Sequence, residues 1–458
     1  MAISSLGVGS GILTQDLLDQ LREADEASLI RPIDLKIANE KDKQNAYDVL
    51  EANIKNLKDS INELKTPLLY DERSVEVVGS SVTVEADANS DIQEFTLDVT
   101  QLATKQIEES GQFNSSTDRI ASGSGSLNLN IDGEDFTIDY TDTTTLEDLK
   151  KSINDIAGDK VSATIVQIGT DDYRLFLNST DTGAAQDITI TDNDGNLSGT
   201  QLTDDLTAVQ EGVDAEFTFN NQTITRSSNK VDDLITGYHI TLQETGVSQV
   251  NVKQDRENIL NRVNSFVEKY NAAITELNKL TKSSTESDER GIFSADSTIK
   301  SLKSTLEDMI GSVGGGVGSL YDYGFDVDRD GKMSFDQSTF EEKLDENPKN
   351  VEAFFSGGDY TKADGSVVTL TGAFGEMYEK IDAYIGTNGI LDQFQSSLSS
   401  TISELEERRM SMVERLDDKY NTLQKQWSAY DAMINKLNSA SAMFVELANA
   451  QAAAQNNG

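Results

Sequence analysis

The chain has 458 residues, a formal net charge of −42 and no cysteine. The missing cysteine excludes disulfides, thiolate chemistry and cysteine-ligated zinc, and a strongly acidic surface repels nucleic acid and anionic membranes. The 35 acidic and 10 basic residues between Asp71 and Asp255 place most of the negative charge in this stretch. We therefore expect this stretch to form the solvated exterior.

The opening residues do not resemble a cleaved signal peptide. They lack the basic and apolar regions of a cleaved signal peptide, and the first basic residue is Arg22. The sequence also has no run of about 18 apolar residues that would cross a membrane. It therefore predicts a protein without membrane insertion that is either cytosolic or exported without a cleaved signal peptide.

The first helical signals lie near the N-terminus. Leu13, Leu17 and Leu21 form a weak apolar stripe, which we expect to be disordered alone and helical when packed. A stronger stripe then alternates in steps of three and four, which is typical of a coiled-coil seam, and it stops before Pro67. Its residues are Tyr47, Leu50, Ile54, Leu57, Ile61 and Leu64.

The middle of the chain alternates apolar and polar residues, which predicts antiparallel strands. Asp132-Gly133 and Asn220-Asn221 are predicted hairpin turns. Thr145 with Asp148 loosely fits a capping box at the start of a short helix. The predicted strands are residues 74–78, 81–86, 94–99, 127–131, 136–140, 161–168, 174–179, 187–191, 215–219, 222–226, 239–244 and 249–253.

Two further helical stripes follow Asp255. One covers residues 259–280, and the other covers 391–444, with its apolar series interrupted at Arg409. The last stripe corresponds to about 80 Å of helix at ~1.5 Å per residue. A single domain of this size cannot bury the apolar side of so long a helix by itself. We expect part of it to be an assembly surface, whose residues are Leu423, Trp427, Tyr430, Ile434, Leu437 and Phe444 together with Leu13, Leu17 and Leu21.

One segment partly matches a calcium-binding loop. Asp326, Asp328, Asp330 and Gly331 reproduce the first half of an EF-hand, but its twelfth position is Gln337, which lacks the required carboxylate. We therefore interpret the segment as a β-turn with solvated aspartates.

The single histidine, His239, lies in an alternating strand without the glycine pattern of a nucleophile elbow. We interpret it as a surface or half-buried strand residue. The sequence predicts no catalytic, cofactor-binding or metal-binding residue, no cofactor and no enzyme activity.

Several segments, in order along nearly the whole chain, resemble the flagellar filament cap protein family (hook-associated protein 2, FliD). The most specific is Arg226-Ser227-Ser228-Asn229, which is followed by the glycine-led strand at Gly237. Others are the opening Met1 to Gly11, Phe266 to Asn271, Tyr323-Gly324-Phe325, Asn347-Pro348 and Gln426-Trp427. Tyr238-His239 departs from the smaller β-branched residues usual in the family.

This resemblance implies an α+β multidomain fold in which a helical leg carries inserted antiparallel β-rich head domains. The implied division is a terminal helical region that is disordered until assembled, a helical-bundle leg with a β-hairpin, a β-rich head and an inserted outer head with a flagellin-type motif. The corresponding ranges are 1–40 with 425–458, 41–70 with 256–424, 71–105 with 211–255, and 106–210.

The resemblance also implies a scaffold secreted through the flagellar type III export apparatus with an export chaperone. It would form a homo-oligomeric ring, with a pentamer expected and other sizes open, at the distal tip of the filament. There it would promote flagellin folding and insertion next to the hook–filament junction protein. Host mucin binding by the exposed head is a further implied role.

Two alternatives remain open at this point. One is a surface adhesin, and the other is another axial flagellar protein, either a hook–filament junction protein or a flagellin-like subunit. A calcium enzyme is a remote third.

Overall fold

The computed structural model describes residues 6–7, 9–12, 14–286 and 289–455. Its contacts divide the chain into two compact units. The helical unit combines the two ends of the chain, Met1–Pro67 and Leu260–Gly458, and the β unit is Leu68–Ile259. The predicted α+β fold class, with helical ends and an inserted antiparallel β region, is confirmed. The four-part division predicted from the sequence stays a prediction.

Long helices from both ends of the chain build the helical unit. Helices and strands are numbered in chain order across both units. The helices of this unit are α1 (Gln15–Leu29), α2 (Arg31–Leu64), α5 (Arg256–Thr281), α6 (Ser297–Ser312), α7 (Gln337–Glu346), α8 (Pro348–Ser356), α9 (Ala373–Ile385) and α10 (Ile390–Gln455). Its two hairpins are β16 (Phe325–Val327) with β17 (Met333–Phe335) and β18 (Gly358–Thr361) with β19 (Val367–Leu370).

The seam predicted on α2 is the core of this unit. All six seam residues from Tyr47 to Leu64 are fully buried. The Tyr47 hydroxyl donates a hydrogen bond of 3.0 Å to the Leu391 carbonyl, which ties α2 to the start of α10. A second part of the core is aromatic, and its rings are Phe266, Phe325, Phe335, Phe340, Phe354, Phe355 and Phe374.

One predicted feature of the helices is wrong. Helix α2 begins at Arg31, well before Tyr47, because Pro32 suits the first turn of a helix and does not interrupt it. Helix α10 is continuous through the interruption of its apolar stripe at Arg409, because a polar side chain leaves the backbone hydrogen bonds intact. Helices α6 to α9 and the β18–β19 hairpin were not predicted.

The β unit begins with the short helix α3 (Leu68–Asp71). The first and last parts of this unit form two sheets that pack face to face. A five-stranded sheet has the order β1-β15-β3-β11-β12, and a three-stranded sheet has the order β13-β14-β2. Their apolar faces share one core around Phe95, Leu97, Phe217 and Ile240. The strands are β1 (Arg73–Val78), β2 (Val82–Ala86), β3 (Glu94–Gln101), β11 (Ala215–Phe219), β12 (Gln222–Arg226), β13 (Lys230–Val231), β14 (Tyr238–Leu242) and β15 (Gly246–Gln254).

The chain between β3 and β11 forms a separate core in the same unit. Sheets of order β10-β4-β8-β7 and β6-β5-β9 pack with helix α4 (Leu146–Ala157) around Leu129, Leu149 and Leu175. The strands are β4 (Lys105–Glu109), β5 (Gly125–Ile131), β6 (Glu134–Tyr140), β7 (Val161–Gly169), β8 (Asp172–Thr182), β9 (Ile188–Asp192) and β10 (Thr207–Gln210).

Local sequence signals in the β unit are confirmed. Both hairpin turns have the left-handed backbone that they require, with φ of 53° at Asp132 and 46° at Asn220. The capping box of α4 is present, because the Asp148 carboxylate accepts the Thr145 N–H at 3.0 Å and the Thr145 hydroxyl accepts the Asp148 N–H at 3.2 Å. In the described part of the chain, every helix is too short or too polar to cross a lipid bilayer.

Candidate assembly surface

The N-terminal helix packs on the C-terminal helix. Leu18 and Ile30 of the α1 segment are buried against Leu416 and Tyr420 of α10. Met412, Val413, Leu423 and Trp427 are partly buried against the same cluster. The two ends of the chain therefore meet along an apolar strip.

Charged pairs border this strip. Lys419 donates to the Asp25 carboxylate at 2.6 Å, and the Tyr420 hydroxyl donates to it at 2.7 Å. These hydrogen bonds hold the pKa of Asp25 below its usual value. Burial and the bond to Asp25 raise the pKa of Tyr420 to about 12, so its hydroxyl stays protonated as a donor at neutral pH. Arg22 adds an ion pair with Asp417.

The glycine-rich start of the chain is held by one buried carboxylate. The Asp431 side chain accepts the backbone N–H groups of Gly9 at 3.0 Å and Ser10 at 2.8 Å, and the Asn438 amide donates to the Gly9 carbonyl at 3.0 Å. A Cβ atom at residue 9 would lie 2.3 Å from the Asp431 carbonyl oxygen. Glycine is therefore required for this close approach to α10.

The predicted assembly residues fall into three groups. Leu17, Leu423, Trp427 and Ile434 are half-buried within the unit. Leu21, Tyr430, Leu437 and Phe444 are exposed, by 74% for Phe444. Leu13 lies outside the described residues.

Sequence reasoning did not assign Leu18, Ile30 or Asp431 to this surface. Leu17 and Leu18 are adjacent, and a weak stripe does not show which of them faces the partner helix. Asp431 is not part of a recognisable motif. The only feature that could have drawn attention to it is its position as a single carboxylate within an apolar stripe.

The end of α10 keeps an uncovered apolar surface. In addition to the predicted residues, Met433, Met443, Val445 and Leu447 are each at least 57% exposed. Scattered apolar residues are ordinary on a protein surface, but a concentration along one helix end marks an interaction site. This surface, residues 430–447 of α10, is called the distal face below.

The candidate chemical sites have structural roles. The aspartate segment is the turn between β16 and β17, and the Asp328 carboxylate accepts the N–H groups of Asp330 and Lys332, both at 2.9 Å. Gln337 lies in the first turn of α7, where its amide donates to the Glu341 carboxylate at 2.7 Å. Among the described residues, no three His, Cys, Asp or Glu side chains are grouped to hold a metal ion.

His239 lies on the exposed side of β14, as expected for a strand residue. Its Nδ1 is 2.9 Å from Asp232 and its Nε2 is 3.5 Å from Asp87. The hydrogen bond to Asp232 and the two negative charges raise the pKa of His239 above its usual value.

Comparison with known proteins agrees with this architecture. The family model for the N-terminus of flagellar hook-associated protein 2 matches residues 10–106, and the model for its C-terminus matches residues 212–439. A flagellar hook-associated protein 2 of Campylobacter jejuni is 30% identical over 416 residues, which are 78% of this chain and 64% of that protein. The protein of the same name in Aeromonas caviae is 25% identical over 98% of both chains.

The chain belongs to the flagellar hook-associated protein 2 (FliD) family. This is the family of caps at the distal tip of the flagellar filament. The crystal structure of the D1-D2-D3 domains of the Escherichia coli flagellar cap protein FliD matches with a TM-score of 0.59 at 22% identity, and covers 77% of this chain and 99% of that one. That likeness concerns the fold.

The segment that most specifically indicated the FliD family acts as a structural clamp. The Asn229 side chain accepts the Ala103 N–H and donates to the Ala103 carbonyl, both at 2.8 Å. The Ser227 carbonyl accepts the Thr182 hydroxyl at 2.6 Å. This segment therefore joins the two cores of the β unit.

Proposed function

We propose that the chain is a non-enzymatic scaffold that oligomerises at the filament tip through the distal face of α10. There it holds exported flagellin while flagellin folds and is inserted. The observation that carries the proposal is the exposure of several large apolar side chains at the end of a helix whose earlier turns are covered by α1. Family membership supports the location.

Energetic considerations favour a protein partner for this face. Burying one Leu or Ile side chain is worth about 1.5–3 kcal/mol, so a few such residues supply a useful part of an association free energy. The side chains lie along one stripe from Tyr430 through Ile434 and Leu437 to Phe444, which is the pattern of a helix packing against another helix. We propose other copies of the chain as the first partner, and flagellin and the hook–filament junction protein as neighbours.

Secretion belongs to the same proposal. Export through the flagellar type III apparatus with a chaperone is compatible with a chain that has no disulfide to break. In this proposal the terminal helices are disordered before assembly and become ordered in the ring.

The test compares two single substitutions on α10. Leu437→Asp places a charge on the distal face at an exposed position, so the monomer should still fold and be secreted. Asn421→Asp adds the same charge at an exposed position of α10 outside the distal face and serves as the control. We expect Leu437→Asp to abolish oligomers in sedimentation velocity, capped filaments in electron microscopy and swimming, whereas Asn421→Asp retains all three. Normal oligomers and capped filaments with Leu437→Asp would contradict the proposal.

The alternatives separate in a deletion strain. Loss of the cap should leave hooks without filaments and release flagellin into the medium. An adhesin would instead leave normal filaments and reduce attachment to mucin. Mucin binding by the β unit remains a secondary hypothesis.

A further inference from the structure

One pocket of this acidic chain is lined mainly by basic side chains and is called the basic pocket below. It lies within the helical unit and has a volume of about 450 Å³. Its charged lining is Lys279, Lys282, Lys303, Arg329, Lys332 and Asp330. Five cations and one carboxylate around one concavity are unusual in a chain with a net charge of −42.

Three segments bring the five cations together. Lys279 lies with Thr275 and Asn278 on one face of α5, and Lys282 directly follows that helix. Lys303 comes from α6, and Arg329 and Lys332 come from the β16–β17 turn. The turn is fixed in place, because the Asn278 amide donates to the Asp330 carbonyl at 2.8 Å.

Close packing and a short hairpin hold the turn rigidly. A Cβ atom at residue 331 would lie 2.9 Å from the Glu307 carboxylate, so the backbone approaches α6 closely. The segment that resembles half of a calcium loop therefore presents cations at a fixed position on the rim of the pocket.

The cations differ in how far they are already neutralised. Lys279 pairs with Glu276 at 3.0 Å, Lys282 with Glu289 at 3.0 Å and Lys303 with Glu307 at 3.6 Å. All three pairs are at least partly exposed to solvent, and exposed ion pairs contribute little because water screens them. Arg329 and Lys332 are exposed, and neither has an ion pair within 4 Å in the described part of the chain. These two side chains leave the pocket with positive charge available to a ligand.

We propose that the basic pocket receives carboxylate side chains from the acidic β unit of a second copy of this chain. The inference rests on the proposed ring, because a closed ring of more than two copies needs two different, complementary surfaces on each copy. Residues 71–255 supply the acidic surface, with 35 acidic against 10 basic residues. The basic pocket on the helical unit supplies the complementary positive surface.

Charge and volume both fit this occupant. The pocket accommodates one or two carboxylate side chains, and an Arg beside several Lys residues is a suitable set of donors for them. In an oligomer held by the distal face, the β unit of a neighbouring copy is present at high effective concentration. A weak, salt-sensitive contact at the pocket then contributes to spacing the copies in the ring.

The test reverses the two unpaired cations in the full-length chain. Arg329→Glu/Lys332→Glu should keep the wild-type circular dichroism and melting temperature, because both side chains are exposed. In sedimentation velocity at low salt it should weaken self-association about tenfold. In ~1 M NaCl, where the Debye length is about 3 Å, wild type and variant should become equal.

Two controls make the result specific. Lys36→Glu/Lys362→Glu applies the same charge change at exposed positions of the helical unit outside the pocket, and it should retain wild-type association. Leu437→Asp should lose association at both salt concentrations, which separates failure of the distal face from failure of the pocket. If the double reversal does not fold, Arg329→Gln/Lys332→Gln removes the two positive charges without adding negative ones. It should weaken self-association in the same direction but to a smaller extent.

Three outcomes would overturn the proposal. The first is a double reversal with wild-type association and salt dependence, which would leave an acidic partner other than this chain as the remaining ligand. The second is an equal loss in the Lys36/Lys362 control. The third is a wild-type chain that stays monomeric at both salt concentrations.

Discussion

Single side chains carry much of the specificity of this structure. Asp431 holds the backbone of Gly9 and Ser10, Asn229 clamps Ala103, and Asn271 pins the β16–β17 hairpin. In each case a short polar side chain satisfies backbone groups far away in the sequence. Removing such a partner leaves the backbone groups without hydrogen bonds, which costs more than the bond itself contributes.

His239 provides a pH-dependent probe of the β unit. Its pKa is raised by Asp232 first and then by Asp87. A raised pKa in the folded state means that the protonated ring stabilises the fold. That stabilisation is fully present below the unfolded pKa of about 6.5 and is lost as the pH rises through the folded value.

We therefore expect Asp232→Asn to lower the pKa of His239 towards its usual value. The chain has one histidine, so its ring signals in an NMR titration need no assignment by mutation. Asp139→Asn, at an exposed site on β6, is the matched control and should leave the titration unchanged. An unaltered titration in Asp232→Asn would show that the hydrogen bond does not set this pKa.

At the scale of elements, local chemistry was a better guide than stripe length. The capping box at Thr145 and the turns at Asp132 and Asn220 were predictable, because a few neighbouring residues determine them. Helices α7 and α8 escaped prediction because they are short, and α8 buries two adjacent rings, Phe354 and Phe355, in the aromatic core. Two adjacent buried residues do not fit the three-to-four-residue spacing by which a helix is recognised in a sequence.

The assembly surface was only partly predictable for a related reason. Periodicity located the stripe on α10 from Leu423 to Phe444. It did not show that Leu423 and Trp427 are partly covered by α1 while Leu437 is open, because coverage depends on which distant helix lies there. The basic pocket was also hidden, since its cations come from three separate segments.

The β16–β17 hairpin should depend on its attachment to α5. The Asn271 amide donates to the Met333 carbonyl at 2.8 Å, and its oxygen accepts the Met333 N–H at 2.7 Å. Met333 is buried, so Asn271→Ala leaves both backbone groups unsatisfied. We expect a loss of about 1–3 kcal/mol in the free energy of unfolding, measured by urea denaturation.

Asn278→Ala offers a matched comparison on the same helix. It removes a single hydrogen bond, to the carbonyl of the exposed residue Asp330, where water replaces the lost donor. Its cost should stay below about 1 kcal/mol. Equal losses in the two variants would mean that burial of Met333 is not what makes Asn271 important.

At the scale of the whole molecule, the β unit and the helical unit differ both in how the chain builds them and in their charge. The β unit is one continuous segment with two apolar cores, whereas the helical unit is built from both ends of the chain. The larger part of the negative charge, 35 acidic against 10 basic residues, lies between Asp71 and Asp255 in the continuous segment. Such an excess favours solubility but destabilises a compact state through self-repulsion.

The β unit should therefore fold alone and respond to salt. A fragment of residues 68–259 contains every strand from β1 to β15 together with both cores, so it should show strand-dominated circular dichroism and a cooperative thermal transition. Added NaCl screens the repulsion between its carboxylates and should raise the melting temperature up to about 0.15 M, where the Debye length is about 8 Å. Sucrose at matched osmolality controls for general solvent exclusion. A broad melt would show that the unit needs the helical ends to fold. A sharp melt without salt dependence would show that its carboxylates are too well solvated to repel one another.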